Sequence, residues 1–210
     1  MLMSCGDGDK STLETPTNDE RTALATRAFP SAVNQALTDA LLTPEDLGDG
    51  WRLESVHSTD ATVADSIFCG TTIEAPPMDA AAILSNQRQG VFLLIQAISQ
   101  QANAEDAANF MAEVRDASQG CDSLVSTDGV NRTEWTLHDS ALRAVGDEMV
   151  SVRSTGTLDS TQGLIDSEGY FAYLRYGDRI VVAGIAWLGQ ANPTAMTEAL
   201  RIIDQRMRVN

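Results

Sequence analysis

The segment from Glu168 to Leu188, EGYFAYLRYGDRIVVAGIAWL, constrains the fold more than any other part of the chain. Two apolar runs flank Tyr176-Gly177-Asp178-Arg179. Gly177-Asp178 supplies a two-residue loop, because glycine takes the positive φ of a tight hairpin turn without steric cost. A loop of that length pairs Arg175 with Ile180, Tyr173 with Val182 and Phe171 with Gly184. Phe171, Tyr173, Ile180 and Val182 then share one face. Leu174, Val181, Ala183, Ile185 and Trp187 share the other. Both faces are apolar, so the hairpin belongs in the middle of a sheet that is covered on both sides.

The rest of the chain supplies that sheet and its covers. From Ser31 the pattern is helical, with Val33, Ala36, Leu37, Ala40 and Leu41 on one face. Thr43 is placed to cap a short helix that has Pro44 at its first position. Gly48-Asp49-Gly50 turns into a strand over Trp51 to Val56, and Asp60 to Asp65 reads as loop. Strand-like runs follow at Ala80 to Ser85 and Val91 to Ser99, with Asn86 to Gly90 as their turn. A helix from about Ala104 to Ser118 presents Ala107, Phe110, Met111 and Val114 inward and stops at Gly120. Further strands are expected at Ser123 to Thr127, Arg132 to Leu137 and Asp147 to Thr155. Pro193 starts a last amphipathic helix with Met196, Leu200, Ile203 and Met207 inward. The expected fold class is α+β: a twisted, largely antiparallel sheet of about six to seven strands with helices packed on its faces.

Charge narrows the partners. The chain of 210 residues has 30 acids against 14 bases, a net charge of −16, and Lys10 is its one lysine. Nucleic acid and anionic membrane surfaces require neutralising cations, so neither is expected as a direct partner. The acids are scattered rather than set at calcium-ligand spacing, and Asp7-Gly8-Asp9-Lys10-Ser11 fails as a calcium loop because Thr12 stands where glycine is required. No apolar run is long enough to span a bilayer.

Residues 1–30 read as an appendage and residues 31–210 as the folded domain. Leu2-Met3-Ser4-Cys5 resembles a bacterial lipobox, in which the cysteine after a small residue is acylated and becomes the mature N-terminus. Only four residues precede Cys5, so the basic and apolar parts of such a signal are expected upstream of Met1. Gly6 to about Pro30 is rich in Ser, Thr, Asp, Glu and Pro, the composition of a flexible tether.

Cys69 and Cys121 remain, each beside a glycine. In an exported chain such a pair reads as a disulfide, stabilising by about 4 kcal/mol in the chain-entropy model. A catalytic cysteine needs an activating histidine, and nothing in the sequence sets His57 or His138 beside either thiol. Zinc needs more ligands at regular spacing. No G-x-S-x-G, H-E-x-x-H, phosphate-binding glycine loop or dinucleotide fingerprint is present. No enzyme activity, metal or cofactor is therefore expected. Asn131-Arg132-Thr133 fits a glycosylation sequon, read as coincidental.

Leu41-Leu42-Thr43-Pro44-Glu45-Asp46-Leu47 with Gly50-Trp51 resembles the L-L-T-x-x-D-L-x-x-G-W opening of actinobacterial PknH-like extracellular sensor domains and their stand-alone lipoprotein relatives. Cys69, the alternating strands to Ser99, the Ala-rich helix and Cys121 follow in that family's order. So do Val145-Gly146-Asp147-Glu148 and the strand pair Leu174-Arg175-Tyr176-Gly177-Asp178-Arg179-Ile180-Val181-Val182. The resemblance implies an extracytoplasmic, non-enzymatic domain, a twisted antiparallel sheet with helices, and a cleft that takes a ligand. It places the protein on the outer side of the cell membrane, lipid-anchored through Cys5. A small molecule or envelope lipid would enter a cleft lined by Trp51, Trp135, Tyr170, Tyr173 and Trp187, although core packing is the default for each. The alternative is a lipoprotein that docks another envelope protein and has no small-molecule ligand.

Overall fold

A computed structural model describes residues 32–57, 65–127, 132–160 and 163–209. The elements in chain order are α1 (Ala32–Asp39), α2 (Pro44–Leu47), β1 (Arg52–His57), β2 (Asp65–Phe68), β3 (Thr71–Ile73), β4 (Ala80–Asn86) and β5 (Val91–Gln100). They continue with α3 (Ala104–Ser118), β6 (Ser123–Thr127), β7 (Arg132–Asp139), β8 (Glu148–Ser160), β9 (Gly163–Tyr176), β10 (Arg179–Leu188) and α4 (Pro193–Val209). A single 3₁₀ turn, Gln87–Gln89, joins β4 to β5.

The strands form one sheet in the order β1-β4-β5-β10-β9-β8-β7-β6-β2-β3, and every neighbouring pair is antiparallel. The hairpin of β9 and β10 has the expected register, with Arg175 opposite Ile180, Tyr173 opposite Val182 and Phe171 opposite Gly184. It lies in the middle of the sheet. Its two apolar faces build two cores. Leu174, Val181, Ala183, Ile185 and Trp187 pack with Leu37 of α1 and with Met196, Leu200, Ile203 and Met207 of α4. Tyr173, Ile180 and Val182 pack on the opposite side with Ala107, Met111 and Val114 of α3. The sequence periodicity of each helix thus chooses its face, and the sheet separates the two layers.

Among the described residues the sheet has ten strands, which corrects the expectation of six or seven. The runs read as strands are themselves eight, counting both arms of the central hairpin, and all join the sheet; β2 and β3 add two that form no visible run. These have four and three residues, and their polar members leave too little alternation to recognise. Their turn is Cys69-Gly70, with Cys69 at φ 47° and Gly70 at φ 90°. Asp65, expected in a loop, begins β2 instead, and its carboxylate accepts from the Ala75 backbone N–H at 3.0 Å.

Two polar clasps attach the first helices. Gln96 on β5 is fully buried; its Oε1 accepts from the Leu42 N–H at 2.7 Å and its Nε2 donates to the Ala40 carbonyl at 3.3 Å. These bonds satisfy main-chain groups that the end of α1 would otherwise bury unpaired. Asp46 accepts from the Thr43 N–H at 2.7 Å and its hydroxyl at 2.9 Å, while its other oxygen takes Arg206 Nη2 at 2.6 Å. The acid of the L-L-T-P-E-D-L stretch is therefore a cap for α2 and an anchor for α4.

Candidate functional site

Arg201, Asp204 and Arg208 follow one another at spacings of three and four on α4, which puts them on one helix face. The segment before β8 lies along that face. Its Gly146 N–H donates to Asp204 Oδ1 at 3.0 Å. Gly146 has φ 76°, and a Cβ there would stand 2.8 Å from the Arg175 carbonyl oxygen. Only glycine allows the backbone to approach so closely in that conformation.

Between this segment and α4 is a pocket of about 450 Å³ lined by Arg143 to Gly146, Thr197, Leu200, Arg201, Asp204 and Arg208. Val145 and Leu200 give it an apolar wall, and three guanidinium groups stand against one carboxylate. Arg201 is paired with Glu198 at 2.6 Å and Arg208 with Asp204 at 3.0 Å. Arg143 is exposed and has no ion pair among the described residues. Burial pushes the Asp204 carboxyl up, but the Arg208 guanidinium, the Gly146 N–H and the Tyr176 hydroxyl outweigh it and hold the group below its ordinary range. The Tyr176 hydroxyl donates to Asp204 at 3.2 Å, and burial together with that carboxylate pushes its pKa up. Arg208 lies over the Tyr176 ring at 5.9 Å. Asp204 is thus a fixed anion whose positions are taken up, leaving Arg143 and the outer faces of Arg201 and Arg208 for a bound group. The arrangement suits an anion with a small apolar portion.

The aromatic residues expected to line one cleft do not meet. Trp51, Tyr170 and Trp187 belong to the core shared with α1 and α4, whereas Trp135 and Tyr173 belong to the core under α3. Tyr170 and Trp187 make an edge contact at 6.3 Å. Tyr173 packs against Phe68 and Phe110, and its hydroxyl is 2.7 Å from Ser66 Oγ. Trp135 contacts Phe171 edge-on at 6.3 Å. Trp51 also borders a surface hollow, with Arg52 and Arg88.

Cys69 and Cys121 are bonded, with Cα atoms 5.7 Å apart. The bond ties the β2–β3 turn to the chain leaving α3. His138 is exposed near the end of β7, its Nε2 2.9 Å from Thr155 Oγ1. No group of His, Cys, Asp or Glu suited to a metal ion occurs among the described residues. Cys5, the tether and Asn131 lie outside them. Among the described residues, no helix is long and apolar enough to cross a membrane.

Arg143, Arg201 and Arg208 are the site residues that the sequence reading passed over. The spacing of Arg201 and Arg208 on one face of α4 was the available signal, but nothing in the sequence brings Arg143 to them.

No protein-family model matches the sequence, and no curated protein does. In the solved structures, the chain is similar to the extracellular domain of PknH from Mycobacterium tuberculosis. The TM-score is 0.57 at 18% identity, and the match covers 86% of this chain and 98% of that one. The likeness is one of architecture over most of both chains: this protein has a fold like that of the PknH extracellular domain.

Proposed function

We propose that this chain is an extracytoplasmic, membrane-anchored lipoprotein whose sensor-type domain binds a small anionic molecule or envelope lipid and catalyses no reaction on it. One observation carries the reading. In a chain of net charge −16, Arg143, Arg201 and Arg208 converge on one pocket walled by Val145 and Leu200. A ligand carboxylate or phosphate would be held by the guanidinium groups, with its apolar part against Val145 and Leu200. Cys5 would carry the acyl chains and residues 6–30 the tether.

The test is native mass spectrometry of the protein expressed with its upstream coding sequence in an actinobacterial host and released from membranes. The expected result is an acylated Cys5 and a bound species that is lost on denaturation. The Arg143→Gln/Arg201→Gln double variant should fold normally and come out empty. An unmodified Cys5 would remove the anchor, and equal loading of the double variant would remove this pocket.

A second reading, docking of another envelope protein, is favoured by one feature. Leu53 and Val56 are 47% and 44% exposed on β1, which is an edge of the sheet. Under that reading the released protein is acylated and carries no small molecule, and Leu53→Glu abolishes cross-linking to its partner.

A further inference from the structure

A second site stands at the end of the sheet away from the Gly177–Asp178 turn, where Trp187 of β10 pairs with Val91 of β5. Six arginines of the described residues, Arg115, Arg153, Arg175, Arg201, Arg206 and Arg208, are held in ion pairs. Arg52 and Arg88 are exposed and make no ion pair or side-chain hydrogen bond among the described residues, although the chain has 30 acids. Both line the same hollow, of about 590 Å³, together with Asp49, Gly50, Trp51 and Gln87.

The hollow is built rather than incidental. Asn86 is fully buried, and its side chain accepts from the Gln89 N–H and donates to the Asp49 carbonyl, both at 3.3 Å. It therefore locks the turn that carries Arg88 onto the turn that leads to Arg52. Gly50 has φ 89°, and a Cβ on it would lie 3.0 Å from Asn86 Oδ1 and 3.4 Å from Arg88 Cδ. The Arg88 stem thus lies across the bare Gly50 backbone, and the largely buried Trp51 is part of the lining.

We propose that Arg52, Arg88 and Asp49 form a binding site for a phosphate group, either the free ion or the head of a monoester. Two guanidinium groups at one hollow match the oxygens of a tetrahedral oxyanion. Asp49 beside them selects among oxyanions. A phosphate monoester has its second pKa at about 6, and a neighbouring carboxylate favours its monoanion, whose P–OH donates to Asp49 while its other oxygens accept from the arginines. Sulfate has no proton to donate and meets the carboxylate as a repulsive neighbour. An adjoining hollow of about 530 Å³ shares Gln87 and is bordered by Val91 and Leu188, so the organic part of a monoester has an apolar place to lie. The phosphate chemistry is common to free phosphate and to a phosphate-headed lipid.

The experiment is a two-dimensional NMR titration of the full chain at pH 7 and low ionic strength, following the amides of Gly50 and Arg88. The probes are inorganic phosphate, sulfate and monomeric dihexanoylphosphatidic acid. Phosphate should shift these amides saturably, and sulfate should bind about tenfold more weakly or less. Arg52→Gln and Arg88→Gln should each weaken phosphate by about tenfold with an unchanged Tm, since both side chains are exposed. Asp49→Asn should close the gap between phosphate and sulfate. Arg143→Gln should change nothing here, which separates this site from the pocket beside α4. Tighter binding of dihexanoylphosphatidic acid than of phosphate would identify a lipid headgroup as the source, and equal binding would identify the free ion. The proposal is overturned if neither phosphate nor dihexanoylphosphatidic acid shifts these amides, if sulfate binds as well as phosphate, or if the arginine variants retain wild-type affinity.

Discussion

Gln96 sits fully buried in the middle of β5 with both ends of its amide engaged by the main chain at residues 40 and 42. Gln96→Leu keeps most of the volume but strands one N–H and one carbonyl away from water. Each unsatisfied group costs about 1–3 kcal/mol, so urea denaturation should show a loss of about 2–6 kcal/mol. A smaller loss would mean that water reaches the 40–42 segment. Asp204 shows the same dependence on partners through pH. Its folded pKa lies below the ordinary value, because Arg208, Gly146 and Tyr176 outweigh burial. The stability this confers is complete above the unfolded pKa, near 4, and is lost as pH falls through the lower folded value. Thermal melts from pH 6 down to pH 2 should therefore fall less steeply for Asp204→Asn than for the wild type, and the variant should melt lower at pH 6. Melts that fall in parallel would show that the carboxylate contributes nothing to acid sensitivity.

The central hairpin was legible because two signals coincide in it: apolar residues on both faces, and Gly177 where the turn needs positive φ. The hairpin β2–β3 was not, since Ser66, Thr71 and Thr72 interrupt its few apolar residues and its turn has a non-glycine residue, Cys69, in the left-handed region. The aromatic cleft shows how local reading fails at the next level. The register that places Tyr173 with Val182 already puts Trp187 on the other face, and Tyr170, an odd number of positions from Tyr173, goes with Trp187. A cleft holding all of them would have to pass through the sheet. The arginine pocket required α4 to return beside the segment before β8, a contact that no local pattern encodes. Two consequences belong to the elements themselves. The bond between Cys69 and Cys121, separated by 52 positions, holds the β2–β3 turn on α3's exit. Cys69→Ser/Cys121→Ser should cost about 4 kcal/mol in the chain-entropy model, read by urea denaturation against the oxidised wild type. Asp46→Ala removes the cap of α2 and the partner of Arg206 together. A loss of about 2 kcal/mol is expected, and Arg206→Ala on top of it should cost about 1 kcal/mol more, because Arg206 Nη1 also donates to the Leu41 carbonyl.

At the scale of the molecule, two cores share one sheet, and that sharing determines how the structure opens. Each inner strand serves both layers: in β10 the buried residues Val181, Ala183, Ile185 and Trp187 face α1 and α4, while Ile180 and Val182 face α3. Removing either helical layer would leave one whole face of the hairpin in water. The burial of a large apolar side chain is worth about 1.5–3 kcal/mol, so several such residues on each face couple the layers strongly. The sheet edges escape this coupling. All but one residue of β1 are exposed, and β3 has three residues with Ile73 alone buried. Native-state hydrogen exchange should therefore divide by position in the sheet rather than by layer. Amides of β9 and β10 should exchange only through global unfolding, at the free energy measured by denaturation, while β1 and β3 exchange through local opening at far lower cost. The interior amides of α3 and α4 should share one opening energy, because neither layer is stable without the sheet between them. If α3 exchanged at a clearly lower energy than α4, the core of Ala107, Met111 and Val114 would be a separate unit laid on a sheet that stands without it.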